Sequence, residues 1–320
     1  MDPGKVYTRG SSYRARAEAR QREYRASVLR AGAGRYGHLL DESAAAKGRN
    51  FVVDVAHQAA LERRAAGKGV AARTFENMLS SQAMCFNVFA PLANEPLLAA
   101  RALRPFFPGL QSVESIEIEH TPAGEIFGDQ SGRGGVDCDV LIEARDAGDA
   151  PWMIVMETNF VEPEFSICGF RKAGRAKRGK VTCPDDVPVR GDRTACLYTS
   201  RKGYQYWTRS DEYELLRNDA LPEAGCPFAG PRWQLWVNLT LAHAEARARG
   251  GGRASFAVCA PERNRKLLGG EDLERFRRLL SEPNSVVFVD LDQVLARLTE
   301  VAEGAAANWV TALRRRYAGI

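Results

Sequence analysis

Two acids, Asp139 and Glu157, have the types and the spacing that best suit chemistry, with seventeen residues between them. Residues 139–144 (DVLIEA) and 152–158 (WMIVMET) read as the two strands of an antiparallel hairpin, and 145–151 is a run of turn-forming residues. The start of one strand and the end of the next then lie at the same sheet edge. Strand parity puts Asp139, Leu141 and Glu143 on one face and Val140 and Ile142 on the other. Glu157 and Asn159 share a face for as long as their strand continues. Two carboxylates meeting there suit Mg²⁺ (or Mn²⁺), a hard cation that takes one or two carboxylates plus water and phosphate. Such a metal can activate water and neutralise charge on a phosphodiester under in-line attack. Asp137 rivals Asp139, being two residues earlier with the same parity. The bland alternative is a pair of strand-end acids facing solvent.

The elements that must position these acids follow from pattern. Residues 13–31 lack Gly and Pro, are rich in Ala and Arg, and read as a helix. Its apolar side is thin (Tyr13, Ala17, Tyr24, Val28), which suggests an outlying arm. A second helix spans 51–66, closed by Gly67 and Gly69. A third spans 74–89, where Phe75, Met78, Leu79, Gln82 and Phe86 recur at helical spacing and Pro91 follows. Residues 113–120 alternate apolar and polar, as in a half-buried strand. Residues 165–228 are rich in Gly, Pro and basic side chains without a period, and read as an insertion with a short helix around 204–217. A helix at 231–248 follows. Strands at 255–260 and 285–290 flank a helix at 271–281, and helices near 292–302 and 305–317 complete the pattern. One mixed sheet flanked by helices, an α/β fold, satisfies this order. The expected organisation is a basic helical arm at 1–36 and one domain at 37–320 carrying the 165–228 insertion.

Composition narrows the class. Across 320 residues, 45% hydrophobic and 27% charged positions exclude collagenous, mucin-like and wholly disordered chains. No apolar stretch approaches the roughly 18 residues of a membrane span. The first residues (MDPGKVYTRG) lack a secretory apolar region, so a cytoplasmic location is expected, with no membrane partner. Lys+Arg 45 against Asp+Glu 40 leaves +5. Residues 1–36 hold nine basic and three acidic side chains, or +6, which leaves about −1 for the remainder. A second basic run is Arg171, Lys172, Arg175, Lys177, Arg178 and Lys180. Such clusters suit a polyanion, and the plain alternative is solvated helix and loop faces.

Asp139-Val-Leu-Ile-Glu … Glu157-Thr-Asn159 resembles the Asp…Glu-x-Lys core of the PD-(D/E)XK, restriction-endonuclease-like nucleases. The helix–strand–strand–strand–helix–strand order is similar as well. Leu79-Ser-Ser-Gln-Ala-Met-Cys-Phe-Asn-Val-Phe-Ala-Pro-Leu92 and Glu157-Thr-Asn-Phe-Val-Glu162 resemble a bacterial subfamily of restriction-type proteins with an SSQ-x-x-x-FN-x-F-x-P-L helix and an E-x-K-Y-x-E strand. Cys226-Pro-Phe and Gln234-Leu-x-x-Asn238 resemble its later helix, so the likeness covers roughly residues 36–300. The resemblance implies a restriction-endonuclease-like core and metal-dependent hydrolysis of nucleic acid, with DNA the expected partner. It implies metal-ligand roles for Asp139 and Glu157, and makes Glu76 the candidate for an extra acid on the first helix. Gln82 or Gln234 would orient water, phosphate or a catalytic side chain. The basic arm and the 171–180 run would contact the phosphate backbone. Restriction-type enzymes often act as dimers, so a homodimer is the implied assembly. The departure is Asn159, which stands where the pattern has Lys. Asparagine donates a hydrogen bond without charge, and Lys172, Lys177 or Lys180 could reach back. A catalytically impaired nucleic-acid-binding protein of the same fold is therefore the alternative, and an interaction protein with no nucleic-acid role is a third reading.

Other candidates have plainer readings. Cys168, Cys183, Cys196 and Cys226 could hold Zn²⁺ or an iron–sulfur cluster, but they form no C-x-x-C pair, so free structural thiols are expected. Cys85 beside Phe86 reads as a core residue, and a Cys/His protease using His57 or His120 has nothing else behind it. His38 and His243 read as ordinary positions. Tyr198, Tyr204, Tyr206 and Trp207 among Arg201, Lys202 and Arg209 suit either base stacking or the insertion's own core. Gly132, Gly134 and Gly135 read as a flexible entry to a strand, since no helix follows.

Overall fold

The computed structural model describes residues 2–7, 10–67, 69–128, 136–171, 182–268 and 271–320. The elements used below are α1 (Ser12–Glu23), α2 (Asp54–Ala65), α3 (Ser81–Ala93), α4 (Pro96–Leu103), β1 (Leu110–His120), β2 (Cys138–Asp146), β3 (Pro151–Thr158), α5 (Arg232–Ala248), β4 (Arg253–Ala260), β5 (Val286–Asp290), α6 (Leu291–Val301) and α7 (Gly304–Tyr317). The strands form one sheet in the order β1-β2-β3-β4-β5. The first three are mutually antiparallel, and β4 and β5 run parallel to β3, so the sheet is mixed and the fold is α/β.

The β2–β3 hairpin is the one its sequence suggests. Asp146 Oδ1 accepts from the Gly148 and Ala150 amides at 2.9 and 3.0 Å, which folds the turn back on itself. Its two strands read as near-continuous apolar runs because both faces are covered. Val140, Ile142, Ile154 and Met156 pack on one side with α3, α4, α6 and α7, whereas Leu141, Met153 and Val155 pack on the other with α5 and the insertion. Burying one such side chain stabilises by roughly 1.5–3 kcal/mol. The sheet edge carrying the acids is therefore rigidly placed.

The predicted 74–89 helix is broken in two. A single turn, Arg73–Glu76, ends at Asn77, whose Oδ1 accepts from the Leu79 amide at 2.9 Å. Ser80 then caps α3, accepting from the Ala83 amide at 3.3 Å. Local side-chain bonds to the backbone compete with the helix ladder here and win. Pro91 lies inside α3 instead of after it. The carbonyl that a residue with an N–H would have satisfied, that of Asn87, accepts from Trp309 Nε1 at 2.9 Å.

The N-terminal helix is not an outlying arm. Tyr13 and Ala17 belong to the main core, and Gln21 and the fully buried Arg316 of α7 bond each other in both directions (3.0 and 3.1 Å). Buried Arg25 donates to the carbonyls of Gly37 and Asp2, both at 2.8 Å. Polar contacts, more than its thin apolar stripe, hold this helix, which is why periodicity understated its burial.

Candidate active site at the sheet edge

β1 pairs Ile118 with Val140 and His120 with Cys138, which places Glu119 opposite Asp139. β2 pairs Val140 with Met156, and one step further in the same register sets Asp139 opposite Glu157. Three carboxyl groups thus fall in one row across β1, β2 and β3. Simple alternation lapses at the row, since Cys138 packs in the same layer as Leu141.

Each acid is held by named donors. The amide and the hydroxyl of Thr158 both donate to Asp139 Oδ2 at 2.7 Å. Gln234 Nε2 donates to Glu157 Oε1 at 2.6 Å, and Asn238 Nδ2 donates to Oε2 at 3.1 Å. Gln234 and Asn238 are one helical turn apart on α5, so both reach the same carboxylate. Gln234 Oε1 also accepts from the Ser166 amide at 2.7 Å, which fixes the amide's orientation. Asp139, Glu157, Asn159, Glu162, Gln82 and Gln234 line one cleft of about 490 Å³, and Arg14 of α1 and Arg73 also line it. A larger hollow of about 870 Å³ between Arg217 and Phe288 gathers no comparable row of acids, so size does not mark the site.

All three acids resist ionisation, chiefly because of burial. Burial pushes the Asp139 carboxyl up to about 6, against the two Thr158 hydrogen bonds that pull it down. Burial and the neighbouring Asp139 push Glu157 well above the usual carboxylate range, partly offset by Asn238. Burial and Asp139 push Glu119 up to about 8, partly offset by a Gln82 hydrogen bond. Glu119 Oε1 is a buried oxygen with no hydrogen-bond partner. Its backbone is left-handed at φ 54°, which is costly for a non-glycine residue and characteristic of functional positions.

Of the sequence candidates, the structure brings Asp139, Glu157, Asn159, Gln82 and Gln234 to one cleft and leaves Glu76 outside. Glu76 is exposed at the end of its single turn, where its carbonyl accepts from the Leu40 amide at 2.8 Å. The extra acid beside the pair is Glu119 instead, behind Gly69 and Gln82 of the cleft wall. A Cβ on Gly69 would stand 3.6 Å from the Glu119 carboxylate. Carrying the hairpin register one strand back, to β1, would have found it. Asp137, the rival acid, is exposed. Asn159 follows the end of β3; its amide donates to the Cys259 carbonyl at 2.8 Å, and its buried Nδ2 has no partner. Glu162 accepts from the Phe160 and Val161 amides at 2.7 and 2.9 Å and so closes the turn after the strand. Asn87 of the Phe-Asn motif is structural, since its Oδ1 accepts from the Val52 amide at 2.7 Å.

In the second basic run, Arg171 pairs with Asp185, whereas Lys172, Arg175, Lys177, Arg178 and Lys180 lie outside the described residues, as do Gly132, Gly134 and Gly135. Tyr206 and Trp207 are buried, so the aromatic run is largely the insertion's own core. The protease reading fails: Cys85 is buried with its thiol pushed far up by burial, and His120 is held between Glu117 and Glu245 at 2.8 and 2.7 Å. His38 is also buried, 3.5 Å from Glu18. No helix among the described residues is long and apolar enough to cross a membrane.

Among the described residues, no three His, Cys, Asp or Glu side chains stand as a ready-made metal cage. Two carboxylates with an orphaned carboxyl oxygen behind them still fit a hard divalent cation, which completes its shell with water and substrate phosphate. A family model described as the PD-(D/E)XK nuclease superfamily matches residues 7–177 and 227–319. No match was found among curated proteins or among solved structures.

Proposed function

Because the chain belongs to the PD-(D/E)XK nuclease superfamily, we propose that it hydrolyses phosphodiester bonds of DNA with Mg²⁺ or Mn²⁺ held by Asp139 and Glu157. The observation that carries this reading is the row of three acids that burial, more than mutual charge, keeps from ionising, a penalty that a bound cation would offset. When bound, such a cation neutralises phosphate charge and lowers the pKa of a water molecule. The chain's own residues do the rest. Thr158 fixes Asp139, and Gln234 with Asn238 fixes Glu157, so both carboxylates face the cleft in one geometry. The unpartnered Asn159 amide is a donor for a phosphate or leaving oxygen. Arg14 and Arg73 at the cleft supply charge for the phosphate backbone, independent of sequence.

Circular and linear DNA incubated with the protein should be nicked or degraded with Mg²⁺ and left intact with EDTA. Asp139→Ala and Glu157→Ala should abolish cleavage while DNA binding persists. Cleavage unaffected by either substitution, or by EDTA, would remove these acids from the chemistry. The neutral Asn159 favours a second reading, a binder that has lost catalysis. Asn159→Lys separates the two: gained cleavage marks a degenerate site, and lost cleavage marks one adapted to asparagine.

A further inference from the structure

The seven cysteines divide by place. Cys138 and Cys259 are buried in the central sheet and Cys85 on α3, whereas Cys168, Cys183, Cys196 and Cys226 all line one cavity of about 20 Å³ in the insertion. That volume holds about one small atom. All four thiols are unbridged, and they arrive on four separate passes of the chain. The Arg171 amide donates to the Cys168 carbonyl at 3.0 Å and the Ala229 amide to the Cys226 carbonyl at 3.2 Å, so the chain turns tightly at both cysteines. Four sulfurs brought from separate passes of the chain to one small cavity are what a thiophilic cation requires.

We propose that Cys168, Cys183, Cys196 and Cys226 bind one Zn²⁺ as four thiolates. Zinc takes four sulfur ligands tetrahedrally at about 2.3 Å. Since no three such groups yet stand in ligand geometry, the site closes as the metal enters. Four S–H protons pass to solvent, four Zn–S bonds form and no electron is transferred. The centre is left with two negative charges beside Arg171, whose guanidinium donates to the Cys183 carbonyl at 2.8 Å.

The insertion has use for such a staple. Its described helices, such as Leu197–Lys202 and Tyr206–Glu212, are short, and little regular structure joins them. Ser166, two residues before Cys168, bonds the Gln234 amide that holds Glu157. A metal at Cys168 would therefore steady that positioning contact. The family match stops at 177 and resumes at 227, so Cys183, Cys196 and Cys226 lie outside the matched residues.

The test is metal content. Full-length protein expressed with zinc and purified under reducing conditions should retain about one zinc per chain, and Cys183→Ser/Cys226→Ser should retain none. If that variant does not fold, Co²⁺ added to the metal-free wild type should give the intense visible bands of tetrahedral thiolate cobalt. Wild-type protein that neither retains zinc nor gives that spectrum overturns the proposal. So does zinc undiminished in a folded double variant, or a chromophore with bound iron and sulfide. The readout does not depend on whether the protein cleaves DNA.

Discussion

The acidic cleft and the cysteine cavity are opposite ways of assembling ligands. The acids sit on three adjacent strands whose register is fixed by buried side chains, and Thr158, Gln234 and Asn238 hold two of them in place before any cation arrives. The sulfurs sit on irregular chain between short helices, and only the proposed metal would unite them. A site preorganised by secondary structure can release and rebind a hard cation without losing its shape. A site organised by its metal cannot. The contrast predicts exchangeable Mg²⁺ in the cleft and retained Zn²⁺ in the insertion.

The sharpest way to break the comparison is to empty each site in turn. Asp139→Ala or Glu157→Ala should reduce cleavage by about 10²–10³-fold or more in a plasmid-nicking assay, with zinc content unchanged. Gln234→Ala leaves the Glu157 carboxylate held by Asn238 alone. The Mg²⁺ concentration for half-maximal cleavage should then rise about 10–100-fold, the usual cost of losing a partner that orients a metal ligand. Emptying the sulfur site through Cys183→Ser/Cys226→Ser should lower the Tm by about 5–10 °C, since 1 kcal/mol shifts a chain of this kind by roughly 2–4 °C. Its Mg²⁺ requirement should rise less than that of Gln234→Ala, because only the Ser166 support of Gln234 is loosened.

A smaller effect concerns pH. Asp139 is pushed up to about 6 and Glu119 to about 8 in the folded chain, against roughly 4 in an unfolded one. Between those values the folded state holds more protons, so stability falls as pH rises through that window. Without divalent cations, the Tm should therefore decline from pH 5 to pH 8. Mg²⁺ should raise it more at pH 8 than at pH 5, and Glu119→Gln should flatten the decline. A metal-free Tm that climbs across this range would mean that burial does not hold these carboxyl groups protonated.

Legibility followed the same division. The hairpin could be read because turn residues and apolar runs specify register, and register alone carries Asp139 to Glu157. The same arithmetic would have reached Glu119, but its alternation with Ile118 reads as a solvent face, whereas its backbone is left-handed and its side chain is buried. Glu76 was misleading because helical spacing ran through a break that Asn77 and Ser80 enforce with their own side chains. Periodicity does not register such local competition. The N-terminal helix buries Gln21 and Arg25, residues that no hydrophobic pattern scores. The four cysteines were beyond spacing rules, since their meeting depends on how an aperiodic insertion folds over α5.

Anomalous diffraction from crystals soaked in Mn²⁺ is the most direct test of the cleft. One strong peak within ligand reach of both Asp139 and Glu157 is expected, and it should vanish in Glu157→Ala crystals treated the same way. A cleft without a peak at saturating Mn²⁺, or a peak bound by neither acid, would contradict the proposed metal-dependent chemistry.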